Sequence, residues 1–293
     1  LQAGLQITDL EAGVGLAGRE EMYMSTLASK LGRWVGIRHS ERAYVTYLNK
    51  LRADVFDTLT NGWERSGKIE KLIARQENKW KRPMSKAEKE AFRFEQDQEL
   101  ARFINRATGR GELWMGEYGT GGGFIANEFG APLNIAFFAP RLKTSRLLLP
   151  FSVISRSPAV RQQAARDLAI AFGAGMTVVS LLAMHPDIDV ELDTLATNFG
   201  RIQYKNTKID IWAGFQPYVR LAAQITPAFN PWEPGAAQRK AASGRIYKTN
   251  AFDVIESAAR GKLSPAAGIL ADILRGKTFI GELACPSAKT PYL

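Results

Sequence analysis

From Ser40 onward, apolar residues return every three or four positions. Ala43, Tyr44, Tyr47, Leu48, Leu51, Val55, Phe56 and Leu59 predict an amphipathic helix, capped by Ser40 and stopped at Asn61-Gly62. A second helix is expected through Ile69, Leu72 and Ile73 to Trp80. Ser85-Lys86-Ala87-Glu88 is a capping box that opens a third helix, running to about Thr108 with Gly109 beyond it. Ahead of these, residues 5–30 read as a helix or helix pair interrupted by glycine. Ser157-Pro158 opens a long helix by the Pro-at-N1 rule, reaching about Met184 before His185-Pro186. Strict alternation appears once, around Lys205-Asn206-Thr207 in 201–212, and predicts a β-hairpin. Two short helices, 251–260 and 265–275, close the pattern. The expected fold is mainly α, an irregular multi-helix assembly with one small β-hairpin.

Glycine changes that picture in one place. Seven of the fifteen residues in 109–123 are glycine: Gly109, Gly111, Gly116, Gly119, Gly121, Gly122 and Gly123. This segment is the expected hinge, parting an amphipathic helical region (1–108) from a compact helical domain with the hairpin (124–293). Between Phe124 and Ile154 the apolar sequence is cut into short pieces by Pro132, Pro140 and Pro150. Across all 293 residues, 45% apolar and 23% charged is a globular composition, which excludes wholesale disorder and a polytopic membrane protein.

Charge narrows the partners. The net +10 is concentrated in residues 30–110 (+8) and 201–293 (+7), with an acidic step of −4 at 166–200 between them. Such a field attracts polyanions: nucleic acid, anionic headgroups or an acidic protein. Arg65, Lys68, Lys71, Arg75, Lys79, Lys81, Arg82, Lys86, Lys89 and Arg93 are the candidate DNA or partner contacts, and are expected to point outward. Aromatic residues interleave with them. Most have core spacing, but Trp63 and Trp80 fall near helix ends and are expected to be free for a partner.

Cys285 is the only cysteine, and only His39 and His185 accompany it, so neither an intrachain disulfide nor a Cys/His zinc cluster can be built. The opening Leu1-Gln2-Ala3-Gly4 has neither a basic n-region nor a signal h-region, which suits a piece of a larger or processed chain. Gly276-Lys277-Thr278 ends like a phosphate loop, but Ala271 stands where the earlier glycine is needed, and a helix C-cap is the better reading. Gly119 to Gly123 lacks the strand and helix of a dinucleotide fingerprint and reads as linker. Asp187, Asp189, Glu191 and Asp193 alternate along one face of an extended segment. Leu192 replaces the glycine of a calcium loop, so an exposed acidic strand facing a basic surface is expected. Leu168 to Met184 is uncharged for seventeen residues. Its small stripe of Ala169, Gly173 and Thr177 permits close helix approach, and burial by protein in an assembly is favoured over a membrane span. Glu256-Ser257 bears a faint likeness to the Glu-Ser motif of lytic transglycosylases, where a lone glutamic acid protonates the glycosidic oxygen.

A wider resemblance begins at Arg102-Phe-Ile-Asn-Arg-Ala-Thr-Gly-Arg-Gly111 and continues through Leu133-Asn-Ile-Ala-Phe-Phe-Ala-Pro-Arg141, Ser145-Arg146 and Pro158-Ala-Val-Arg161. It extends through Asn198-Phe-Gly-Arg-Ile202, Asn206 to Trp212, Gly214-Phe-Gln216, Tyr218, Leu274-Arg-Gly-Lys277 and Gly281-Glu282. In this order these segments resemble a C-terminal module of the large polyvalent proteins of tailed bacteriophages and mobile elements. The Gly-rich 116–123 departs from the charged residues usual there. The resemblance implies a virion protein, inside the capsid or tail and released with DNA. Its expected partners are further copies of itself, portal or tail-channel proteins, DNA, and transiently the host envelope. It assigns no catalytic residue, cofactor or metal. The expected function is a non-enzymatic internal or ejection protein. The alternatives are a peptidoglycan-cleaving domain using Glu256, and a nucleic-acid-binding module delivered to the host.

Overall fold

A computed structural model describes residues 3–7, 37–111, 137, 140–196, 198–212, 214–229, 235–240 and 244–276. These contain eight α-helices and two small antiparallel sheets, so the fold is mainly α. The helices are α1 (Ile37–Arg65), α2 (Lys68–Trp80), α3 (Lys86–Ala107), α4 (Pro140–Leu148), α5 (Pro158–Leu182), α6 (Gln216–Ile225), α7 (Ala251–Arg260) and α8 (Pro265–Arg275). Two compact units divide the chain: Leu1–Ala131 with Ala139–Ile170, and Pro132–Phe138 with Ala171–Leu293. The boundaries fall at 131/132, 138/139 and 170/171, the last of them inside α5.

In the first unit, α1 runs through Ser40 and past Asn61-Gly62 to Arg65. The expected stop fails because Trp63, 5% exposed, draws a further turn into the core, and Gly62 has open space around it. The chain breaks instead at Gly67, in the left-handed region at φ 61°. The inward stripe of α1 also differs from the apolar one. Val45, Arg52 and Trp63 are buried, while Tyr44, Tyr47, Leu51 and Val55 are exposed. Arg52 goes inward because it has a target at the end of α3, where its Nε donates to Thr108 Oγ1 (2.9 Å) and its Nη2 to the Thr108 carbonyl (3.3 Å).

The capping box of α3 forms in both halves. Glu88 N–H donates to Ser85 Oγ (3.2 Å) and Ser85 N–H to Glu88 Oε2 (2.7 Å). At the far end Gly109, at φ 87°, turns the chain out of the helix. Gly111 N–H then donates to the Arg141 carbonyl at the start of α4 (3.1 Å). A Cβ on Gly111 would stand 2.2 Å from Ser145 N, so Gly109 and Gly111 are packed positions, whereas Gly116 and Gly119 to Gly123 lie outside the described residues. Asn105 fastens residues 4–6: its Nδ2 donates to the Gly4 carbonyl (3.0 Å) and its Oδ1 accepts from Gln6 N–H (3.1 Å). The rest of the segment read as a leading helix or helix pair lies outside the described residues.

In the second unit the expected hairpin is present as β2 (Ile202–Tyr204) and β3 (Thr207–Ile209), turning at Lys205-Asn206. It is larger than expected. β1 (Ile188–Val190), from the acidic segment, pairs antiparallel with β2, and β4 (Ala236–Lys240) with β5 (Ile246–Asn250) forms a second hairpin. Trp212 holds the carboxyl half of α5: its ring stacks on Phe172 at 5.9 Å, and its Nε1 donates to the Gly200 carbonyl (2.8 Å). The close approach is at Gly175, whose Cβ would lie 2.9 Å from the Trp212 ring, while Gly173 of the expected small stripe faces open space. Among the described residues, Leu168 to Met184 is covered only in part, which leaves burial in an assembly untested. Val179 is buried, but Ile170, Met176, Val178, Leu181 and Met184 are exposed.

Gly200 is at φ 67°, and a Cβ there would meet Trp212 Nε1 at 2.3 Å. Gly200→Ala should therefore destabilise the second unit by roughly 1–3 kcal/mol through strain and overpacking. Gly173→Leu should stay within about 0.5 kcal/mol of the parent. Urea unfolding followed by tryptophan fluorescence measures both.

Candidate functional site: a cationic helix face

Helix α2 carries charge of both signs, and the fold sorts them. Ile69, Leu72 and Ile73 are buried. Glu70 and Glu77, one heptad apart, reach α3: Arg93 Nη2 lies 3.0 Å from Glu70 Oε1, and Lys89 Nζ lies 3.0 Å from Glu77 Oε1. Both acids of α2 are thus committed to its neighbour. Glu77 is held further, accepting Met84 N–H at 2.9 Å, and these bonds together lower its pKa.

Lys71, Arg75 and Lys79 remain, spaced i, i+4, i+8 on one exposed flank. Each step rises about 6 Å and advances only ~40° around the axis, so the three charges form a row. Among the described residues, no hydrogen bond or ion pair engages these side chains, nor those of exposed Arg65, Lys81 and Lys86.

Eight of the ten candidates are exposed, as expected, and only Lys68 and Lys89 are half-buried; they part instead by whether they are paired. Lys68 is half-buried, lies over the Trp63 ring at 5.3 Å and reaches the Ala159 carbonyl (3.5 Å). Burial lowers its pKa. Arg82, Lys89 and Arg93 are exposed or half-buried but bound to glutamates, Arg82 doubly to Glu88 (2.6 and 3.0 Å). Of the two tryptophans expected to be free, Trp63 is core. Trp80 is exposed at the end of the row, with the Arg82 guanidinium 5.1 Å from its ring centroid.

The other candidates fall elsewhere. The acidic segment does face a cation, and it belongs to the same chain: Lys240 Nζ sits 2.8 Å from Asp193 Oδ2 and 3.8 Å from Glu191 Oε2, while Asp187 and Asp189 are exposed. The Lys240 contact and the Leu195 N–H lower the pKa of Asp193. Glu256 is ion-paired with Arg275 across α7 and α8. That is not the apolar enclosure that keeps a catalytic carboxylic acid protonated. Gly276 ends α8 at φ 68° with its N–H on the Ile273 carbonyl, as a C-cap does.

No protein-family model, no curated protein and no solved structure matches the chain.

Glu88 locks the start of α3, and the Arg82 guanidinium and the Ser85 N–H lower its pKa from 4.5 to about 2. A depressed folded-state pKa contributes stability that is full above the unfolded value and fades as pH falls through the folded one. Thermal stability of the parent should therefore fall between pH 4.5 and about 2. Glu88→Gln should be less stable at neutral pH and lose part of this acid dependence, as followed by circular dichroism.

Proposed function

We propose that this chain is a non-enzymatic structural protein of a phage particle, an internal or ejection protein, which grips packaged or passing DNA by its phosphate backbone. The phage setting rests on the resemblance of residues 102–282. The mode of contact rests on one observation: α2 spends both of its glutamates on α3 and leaves Lys71, Arg75 and Lys79 in an exposed row. A row of point charges without base-reading geometry favours non-specific affinity, driven by counterion release. Exposed Trp80 beside the row offers a stacking face for an unpaired base. Further copies of the chain and the portal or tail channel are the protein partners of this reading, and host-membrane contact would be transient.

Replacing Lys71, Arg75 and Lys79 together by Glu should weaken binding to a labelled 20-base-pair duplex at low salt by at least tenfold. It should also reduce the slope of log affinity against log salt by about 3, near 0.9 for each phosphate that is no longer neutralised. Fluorescence anisotropy across a salt series measures both. An unchanged slope in a folded variant would remove α2 from the interface. Counting copies of the chain in purified particles separates a virion component from a module made in the host.

A further inference from the structure

Helix α5 is long and apolar enough to cross a membrane. Its carboxyl half, from Ala171, belongs to the second unit and packs there along one narrow seam. Phe172 stacks on Trp212 and meets Phe215 edge-on at 5.8 Å, Gly175 lies against the Trp212 ring, and Val179 is buried. These three positions are three or four residues apart and share one side of the helix. The other side faces outward. Ten of the fourteen residues from Ala171 to Met184 are exposed, and none of the fourteen is charged.

An exposed helix face in water normally carries charge. This one carries Met176, Val178 and Leu181, with Met184 just beyond them, and Leu181 is 64% and Met184 81% exposed. Met176 and Val178 border the seam on its two sides, and going round by Leu181 they are about 200° apart. Polar groups on this arc are few. Of its two hydroxyl residues, Thr177 and Ser180, the first is satisfied within the helix: Thr177 Oγ1 donates to the Gly173 carbonyl at 2.9 Å. That is the bonding a hydroxyl needs where water is scarce. The width of the arc decides what covers it. A helix from a second copy covers a stripe about 100° wide, half of the arc, along about 20 Å. Such a contact falls far short of the roughly 800 Å² per partner of a stable interface. The acyl region of a bilayer covers the whole arc and asks for no charge.

We infer that the outward arc of α5 docks on a lipid bilayer, with the helix lying in the plane of the interface. The seam sets that orientation. Phe172 and Gly175 keep the helix against Trp212, whose chain neighbours Lys208 and Asp210 are exposed and polar. A helix surrounded by lipid would have to leave the seam. One lying flat keeps it and sinks its free side about 5–10 Å into the headgroup and acyl boundary. Exposed Asp187 and Asp189 follow the arc, so it gains nothing from anionic headgroups. The docking goes beyond the DNA contact of α2 and does not depend on it.

The test is flotation of the whole chain with phosphatidylcholine vesicles, which carry no net charge. The parent should float with them. Raising salt to about 0.5 M should change its partition coefficient less than about twofold, since screening acts on charge and not on apolar burial. Leu181→Asp and Met176→Asp should each lower the coefficient at least about tenfold, the cost of taking a carboxylate into the boundary. Both variants should melt as the parent does, because both side chains are exposed in the folded chain. Leu274→Asp, at another exposed apolar position on α8, should float as the parent does. So should the variant with Lys71, Arg75 and Lys79 replaced by Glu, which separates this result from the DNA result. No flotation of the parent, loss of it at high salt, or an equal loss in Leu274→Asp would overturn the site. A parent that ignores vesicles and is dimeric by analytical ultracentrifugation, but monomeric as Leu181→Asp, would overturn it in favour of a second copy.

Discussion

The first unit depends on how α3 ends. A helix leaves its last carbonyls without intrahelical partners, and this one ends beside buried Ile104, Asn105, Arg110 and Gly111, where access to water is restricted. Each nearby group answers that constraint. Thr108 N–H and Oγ1 both donate to the Ile104 carbonyl, Arg110 N–H to that of Asn105, and Gly109 N–H to that of Arg106. The Thr108 carbonyl is met by Arg52, 0% exposed, a cation at the negative end of a helix. From this junction the chain is fixed outward. Asn105 holds residues 4–6, Gly111 docks on α4, and Arg141 returns to the Gly111 carbonyl (3.4 Å) and to Gln6 Oε1 (2.5 Å).

The junction also bears on the longest stretch of resemblance. Within Arg102 to Gly111, Asn105, Thr108, Gly109, Arg110 and Gly111 all have backbone or buried polar duties. A segment so occupied carries packing information and leaves chemistry to other surfaces. The proposed contacts accordingly lie on the solvent flank of α2.

Local signals were legible where the chemistry is local. Ser85 to Glu88, Ser157-Pro158 and Gly276 each marked a helix end that the structure bears out, because a cap is made by residues within one turn. Features that depend on distant partners were not. Asn61-Gly62 reads as a stop until Trp63 finds its pocket, and Ala236-Ala-Gln-Arg-Lys240 has too little β-propensity to announce a strand without β5 beside it. The ten basic residues of 65–93 were visible as a block. The division between paired and unpaired members was not, since it requires the packing of α2 on α3 to bring Glu70 to Arg93 and Glu77 to Lys89.

That division gives α2 an electrical direction. With Glu70 and Glu77 turned to α3 and Lys71, Arg75 and Lys79 turned to solvent, the helix carries a dipole across its axis in addition to the one along it. A dipole of this kind exerts a torque in the field of a polyanion before any contact is made. Toward a polyanion of the kind proposed, the unit would turn its cationic flank forward during approach, and the fraction of collisions that arrive in a usable orientation would rise. On the proposed function, the arrangement would therefore act on the association rate as well as on the strength of the bound state, and most at low ionic strength, where the field reaches furthest.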